Sequence, residues 1–533
     1  MNTLRRDLLI LTALAVLLFF PGLGRRDLWN PDEARYAEVA REMRQSHSWA
    51  LPRLNGQTYT QKPPLLYWLM IACGALRGGI DETAARIPSA LAAVGAVLLV
   101  FRIGDRLFGR RAGWLAAAVF ATSFKILWQG RFGQIDMLLT ALVALAVWFW
   151  VRGYTEGRPA LYPLFFLCAG LATLAKGPVG LLPPLLSILA FLALTRNGAE
   201  AKRLRPGLGL LLWAAVVLAW LIPAGLAGGQ DYLRQIVFKQ NVTRYADPWH
   251  HREPWYYFLQ VLPGDFFPWC LLLPAGVLVA RKRLAGKERE GALFCLCWIV
   301  VTLLFFSLSP AKRDVYVLTM YPAMALLIGA ALDRIATDWP RDRRWVQIPL
   351  GLLTALALLT VAAPPILGAR RPDEIAPLGG VPFLWMVSAA FVPLVLGSAW
   401  AWWESRAGRI VRATAGVAAG MALVVLTAAF FLLPRFDTVK SARPLSQVLL
   451  QHMKPGEPYG IYPRLDSTFL IYTGRFAVEL DSEKKLRQFA ASPGRVWILA
   501  QRDDLAKLAP PLPVREVARD PDPDTGYLLL TQR

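Results

Sequence analysis

Apolar runs long enough to cross a bilayer recur from Leu8 to Leu433, separated by short clusters of Lys, Arg, Pro and Gly. A spanning helix needs roughly 20 mostly apolar residues. Lipid tolerates only segments whose backbone hydrogen bonds close internally, so these runs predict helices rather than loops. The first span covers about Leu8–Leu23, and others fall near 87–105, 112–126, 135–151, 160–175, 177–195, 208–228, 257–280, 291–308, 315–333, 347–369, 381–403 and 410–433, about 13 in all. The stretch Leu65–Ala75 is short for a crossing, and a crossing there would put the Arg102-to-Arg111 cluster outside, so it reads as an interfacial or re-entrant helix. After Arg435 the pattern changes to short apolar runs broken by Pro, Gly and charge. Tyr459–Ile461, Phe469–Tyr472, Val496–Leu499 and Tyr527–Leu530 predict strands, and Glu483–Ala490 and Asp503–Leu508 predict helices. The expected architecture is a polytopic α-helical membrane unit over residues 1–434, with a first external loop at about 24–86, and a small soluble α/β unit over 435–533.

Composition agrees with that class: 55% of the 533 residues are apolar and 18% charged. Many of the 20 Trp residues stand at run ends, where an interfacial aromatic belt belongs. The net charge of +22 would suit nucleic acid if it were gathered on one module. Instead it is divided among short inter-span clusters such as Arg281–Arg283 and Arg341–Arg344, which set membrane orientation. With Arg5 and Arg6 in the cytoplasm, the loop 24–86 and the tail lie on the periplasmic side of a bacterial inner membrane. The N-terminus lacks a small-x-small cleavage site, so an uncleaved first helix is expected. The five cysteines all lie in apolar runs without a C-x-x-C pair and read as buried hydrophobes.

The topology gathers the distinctive polar residues at one membrane face. Pro31-Asp32-Glu33-Ala34-Arg35-Tyr36 opens a helix with carboxylates in its first turn. Lys62 precedes two prolines that hold it on an extended stem, suited to meeting a phosphate as a point charge or to snorkelling at the interface. Asp136 opens an apolar span, where an acid is costly unless paired or functional, and Arg131 is placed to pair with it. Lys176 stands between two spans with almost no loop. The loop Tyr245–Tyr257 mixes aromatic rings with His251 and Glu253, and Lys312-Arg313-Asp314 follows a further span. Paired histidines alone do not make a zinc site, which takes three or four protein ligands.

Together these motifs resemble the lipid A aminoarabinose transferase family, within the wider group that includes protein O-mannosyltransferases. The resemblance rests on Pro-Asp-Glu-Ala-Arg-Tyr, Lys-Pro-Pro-Leu-Leu-Tyr-Trp, Gly133-x-x-Asp136-Met, Ala175-Lys-Gly-Pro, His251-x-x-Pro-Trp-Tyr-Tyr and Ser309-Pro-Ala-Lys-Arg-Asp-x-Tyr316, and runs from about Leu8 to Ile335. It implies a GT-C fold with many membrane helices beneath a periplasmic loop layer, and a polyprenyl-phosphate-linked sugar donor. By that similarity Asp32 is the principal catalytic aspartate, Asp136 the second acidic position and Lys62 a donor-phosphate contact. Glu33, Arg35, Tyr36, Arg131, Lys176, His251, Lys312 and Arg313 are candidate substrate contacts. Family members usually carry Glu before that lysine, whereas this chain has Gln61, so no metal ligand is assigned, no cofactor is required by the sequence, and dependence on a divalent metal stays open.

The expected reaction is sugar transfer from polyprenyl phosphate to an acceptor at the periplasmic face, with lipid A first and another lipid, a polysaccharide or a protein as alternatives. A hydroxyl acceptor would need a general base, for which Asp32 is the candidate. A lipid A phosphate needs none, and Asp32 and Asp136 would then orient the donor. A transporter of lipid-linked sugars would place its ionisable residues near the bilayer midplane, where these spans have almost none.

Overall fold

The computed structural model describes residues 3–243, 245, 252–368, 370, 376–520 and 526–532. Every one of the expected span intervals contains helix. Among the described residues nine helices are long and apolar enough to cross a membrane, ten if the pair Tyr257–Asp265 and Trp269–Lys282 is one span bent by 109°. The chain is a multi-pass membrane protein. The other intervals hold shorter pieces: α1 (Thr3–Phe19), α5 (Arg110–Ala121), followed by α6 (Phe124–Gln129), and α9 (Leu182–Leu194). The expected span 112–126 is thus broken. Thr122 and Ser123 donate their hydroxyls back to the carbonyls of Ala118 (2.6 Å) and Val119 (2.7 Å), closing α5.

Four further helices carry the site. They are α2 (Asp32–Gln45) and α3 (Leu65–Arg77) in the first loop, and α4 (Glu82–Phe108) and α7 (Ile135–Glu156) in the bundle. The apolar α3 is 13 residues long, shorter than a spanning helix. Small residues let the bundle close tightly: a Cβ on Gly104 of α4 would stand 2.7 Å from the Gly113 Cα of α5. The helices Tyr162–Lys176 (α8), Gly198–Arg203 (α10), Pro206–Leu233 (α11), Tyr257–Asp265 (α12), Leu273–Lys282 (α13), Gly286–Leu308 (α14) and Tyr321–Thr337 (α15) follow in order. In α15 nearly every residue is buried, which places it at the bundle's centre.

The tail folds into a five-stranded mixed sheet. Val478–Glu479 and Trp497–Gln501 flank Tyr459–Tyr462 in parallel, and Tyr527–Gln532 and Val514–Arg519 extend the sheet antiparallel. One expected strand is a helix: Phe469–Tyr472 lies within Ser467–Thr473. Asp466 caps its start by accepting from the Thr468 amide, and Gly474, in a left-handed conformation, ends it. The tail lies on the first loop. Tyr472 accepts the Leu28 amide (2.6 Å), Asp466 accepts Asn30 Nδ2 (2.9 Å), and Ala477 exchanges two hydrogen bonds with the Asn55 side chain (2.8 and 2.9 Å).

Candidate active site

Two carboxylates open α2 and their surroundings separate their roles. Glu33 is 2% exposed and its oxygens are fully engaged. Arg26 reaches them at 2.8 and 3.1 Å, Arg86 at 2.7 and 2.9 Å, and the Gly133 amide donates at 2.8 Å. Burial pushes this carboxyl up, but the charges of Arg26 and Arg86 outweigh it and hold it at about 2. Arg86 also donates to the backbone carbonyls of Leu23, Arg26 and Asp27. Glu33 therefore fastens the first loop to the heads of α4 and α7.

Asp32, one residue earlier, faces a different set. Its Oδ2 accepts from Arg313 at 2.8 Å, Arg35 stands 3.9 Å from Oδ1, and the Lys62 charge acts on it. Burial raises this carboxyl, but Arg313, then Arg35 and Lys62, bring it below its usual value, so it is an anion at neutral pH. Asp32 in turn raises the Arg313 guanidinium further above its already high value, with Asp136 contributing. Asp136, at the head of α7, is paired with Lys176 at the end of α8, and the Lys176 ammonium lies 4.7 Å from the Tyr316 ring centre. Five elements distant in sequence thus bring two acids and four bases together at one end of the bundle. Tyr36, Tyr59 and Tyr67 form an aromatic wall beside them, with ring centres 5.9 and 6.4 Å apart, and the charges of both aspartates act on the buried Tyr36 hydroxyl.

Three expected contacts have other partners. Arg131 does not pair with Asp136. It donates to the carbonyls of Leu18 (2.8 Å) and Pro21, satisfying groups left open where α1 ends. Burial, with Arg26 and Arg86 nearby, lowers its guanidinium to about 10. Lys312 is buried and spends its ammonium on the carbonyls of Ser309 (2.6 Å) and Glu253 (2.9 Å). Glu33 is the third. His251 lies outside the described residues. Gln61 accepts a hydrogen bond from Tyr59 (3.3 Å), and its neutral amide lacks the charge with which a carboxylate binds a divalent ion. No group of three metal-binding side chains is found among the described residues. Gln61 supplies no carboxylate to a metal, and the chemistry below is derived without one.

Sequence reasoning missed Arg26, Arg86 and Lys125. Arg86 heads an apolar span just as Asp136 does, and the same cost argument would have marked it. Lys125 pairs with Asp314 and stands 3.5 Å from Asp265, which fixes the segment beside Arg313. Nothing in the local pattern signals that triad.

The fold and the charged end of the bundle define a class, the membrane-embedded glycosyltransferases of GT-C type. The structure matches that of ArnT from Cupriavidus metallidurans bound to undecaprenyl phosphate with a TM-score of 0.82 over 98% of this chain and 97% of that one, at 23% identity. Residues 61–223 match the dolichyl-phosphate-mannose-protein mannosyltransferase family. A Pseudomonas savastanoi undecaprenyl phosphate-alpha-4-amino-4-deoxy-L-arabinose arabinosyl transferase is 32% identical over 367 residues, 68% of each chain. A Pseudomonas fluorescens enzyme of the same description is also 32% identical, over 66% of this chain and 64% of that relative's length. The chain belongs to the undecaprenyl phosphate-aminoarabinose arabinosyl transferase family.

Proposed function

We propose that this protein transfers 4-amino-4-deoxy-L-arabinose from undecaprenyl phosphate to a phosphate of lipid A, at the periplasmic face of the inner membrane. The observation that carries the reading is the Asp32 carboxylate held by Arg313 and Arg35, beside Lys62 and within the field of the Asp136–Lys176 pair. An acceptor phosphate oxygen attacks the anomeric carbon as the bond from that carbon to the donor phosphate breaks, and undecaprenyl phosphate leaves with the electron pair. Charge grows on the leaving phosphate, and Lys62, Lys176 and Arg35 supply fixed cations for it. Asp32 and Asp136 hold the sugar's ammonium, and Tyr36 borders the sugar.

The depressed Asp32 carboxyl bears on the choice of acceptor. A general base works best with a pKa near the operating pH, and this carboxyl lies far below it. An orienting anion suits that environment, and a phosphate acceptor needs no base. The tail over 435–533 serves in this reading as a periplasmic brace, because two of its contacts fall on Leu28 and Asn30, just before Asp32.

Mass spectrometry of lipid A tests the proposal, comparing cells that lack the protein, overproduce it, or carry Asp32→Asn. An aminoarabinose increment on a lipid A phosphate is expected only with the wild-type chain. An unchanged lipid A pattern, with the protein inserted and its donor present, rejects this acceptor and directs the search to hydroxyls.

A further inference from the structure

A polar cavity lies at the end of the bundle away from Asp32. It encloses about 450 Å³ between the last turns of α4 and α7 and the first turns of α14. Those helices fix its place. Arg86 and Asp136 head α4 and α7, and the chain leaves α14 toward Arg313, whereas the cavity touches Arg106, Trp150 and Lys287. Asp136 and Trp150 are 14 positions apart on one helix, roughly 21 Å along its axis. This cavity is therefore at headgroup depth on the opposite membrane face, and none of the residues assigned to transfer reaches it.

Its chemistry is mixed. The floor is an aromatic cluster of Trp150, Tyr154, Phe191 and Phe294, with the Trp150 and Tyr154 rings stacked at 5.3 Å and the Phe294 ring tilted by 35° against Trp150 at 4.5 Å. Trp150 is 1% exposed and its Nε1–H has no acceptor within the protein. Such a buried donor is costly unless something satisfies it. Glu200 is engaged by Tyr162 and by Arg203 at 3.3 Å, while Glu290 stands at the mouth beside the Tyr154 hydroxyl. Lys287, one helical turn before Glu290, supplies positive charge on the same rim, as does Arg106 across from it, whose Nε donates to Thr155 (2.7 Å) and whose Nη2 stands 3.9 Å from Glu156.

A purely anionic headgroup would meet two carboxylates here, and a hydrocarbon chain would strand the charged rim. A ligand with an ammonium and a phosphate a few bonds apart suits both. We propose that this cavity binds the zwitterionic headgroup of a phospholipid from the leaflet opposite the catalytic face, its ammonium at Glu290 over the aromatic floor and its phosphate at Lys287 and Arg106. Ring faces and a carboxylate attract the cation, and the two basic side chains hold the phosphate. Phosphatidylethanolamine carries that chemistry.

Native mass spectrometry of the full chain, released from detergent with matched phosphatidylethanolamine and phosphatidylglycerol, tests this. The wild type is expected to retain phosphatidylethanolamine about tenfold better, the worth of one charge-assisted contact. Glu290→Gln with Lys287→Met alters two exposed side chains, which keeps the fold, and should erase the preference. Equal retention of the two lipids by the wild type, a preference for phosphatidylglycerol, or an unchanged preference in the double variant would overturn the proposal.

Discussion

Glu33→Gln separates a structural carboxylate from a catalytic one. The replacement keeps the shape of the side chain and removes its charge, leaving Arg26 and Arg86 facing a neutral amide. A carboxyl that titrates at about 2 in place of 4.5 stabilises the folded chain by about 3 kcal/mol at neutral pH. Breaking a buried pair by removing one partner costs about 3–5 kcal/mol, so the two routes agree. The sign follows from the direction of the shift. Because the folded value is the lower one, this stabilisation is present above pH 4.5 and is lost as the pH falls toward 2. Thermal unfolding in detergent should show the variant several degrees less stable at pH 7, and a smaller loss of stability on acidification than the wild type shows. Transfer measured well below the unfolding temperature should retain most of its rate. A variant as stable as the wild type but without activity would refute the assignment of Glu33 to the loop anchor and return it to the substrate.

Arg313→Met removes the cation closest to Asp32, so the Asp32 carboxyl should rise; the acid limb of the kcat/KM profile should move to higher pH, with a rate loss of roughly a hundredfold, and an unmoved limb would separate Arg313 from Asp32 in the reaction. Lys125→Met leaves Asp314 and Asp265 without their shared cation and should lower kcat with little change in KM, whereas Lys125→Arg should restore most of the rate; a loss confined to KM would count against a positioning role. A single cysteine at Gly456 in the tail should react with an impermeant reagent from the periplasm, and labelling only after the inner membrane is opened would reverse the orientation.

Hydropathy alone marked the bundle because each span is a local property: a run of apolar residues must be helix in lipid whatever its neighbours are. The same locality made Asp136 visible as an acid in a costly place, and Asp32 and Lys62 visible through the short motifs that hold them, Pro31-Asp32-Glu33 and Lys62-Pro63-Pro64. Partner choice was not visible. Arg86 and Glu33 stand 53 positions apart and Arg313 and Asp32 stand 281 apart, and no spacing rule reaches that far. Arg131 and Asp136 looked like a natural pair from their separation, yet the open carbonyls at the end of α1 claimed the arginine and α8 supplied the lysine. In the tail, Phe469–Tyr472 is as apolar as its neighbouring strands. Its helix is dictated by the Asp466 cap and by Gly474, one residue beyond each end of the helix, signals that an apolar-run reading passes over.

The hydrogen bonds that Leu28 and Asn30 donate to Tyr472 and Asp466 join residues 444 and 436 positions apart. At a translation rate of 5–20 residues per second, roughly 20 to 90 seconds separate the synthesis of the two ends. The loop that carries Asp32 is made first and waits, without its brace, until the last part of the chain has been synthesised. A truncated product would insert all its helices and still lack the contacts that hold the head of α2. Completion of the chain is thus itself a checkpoint on the assembly of the site.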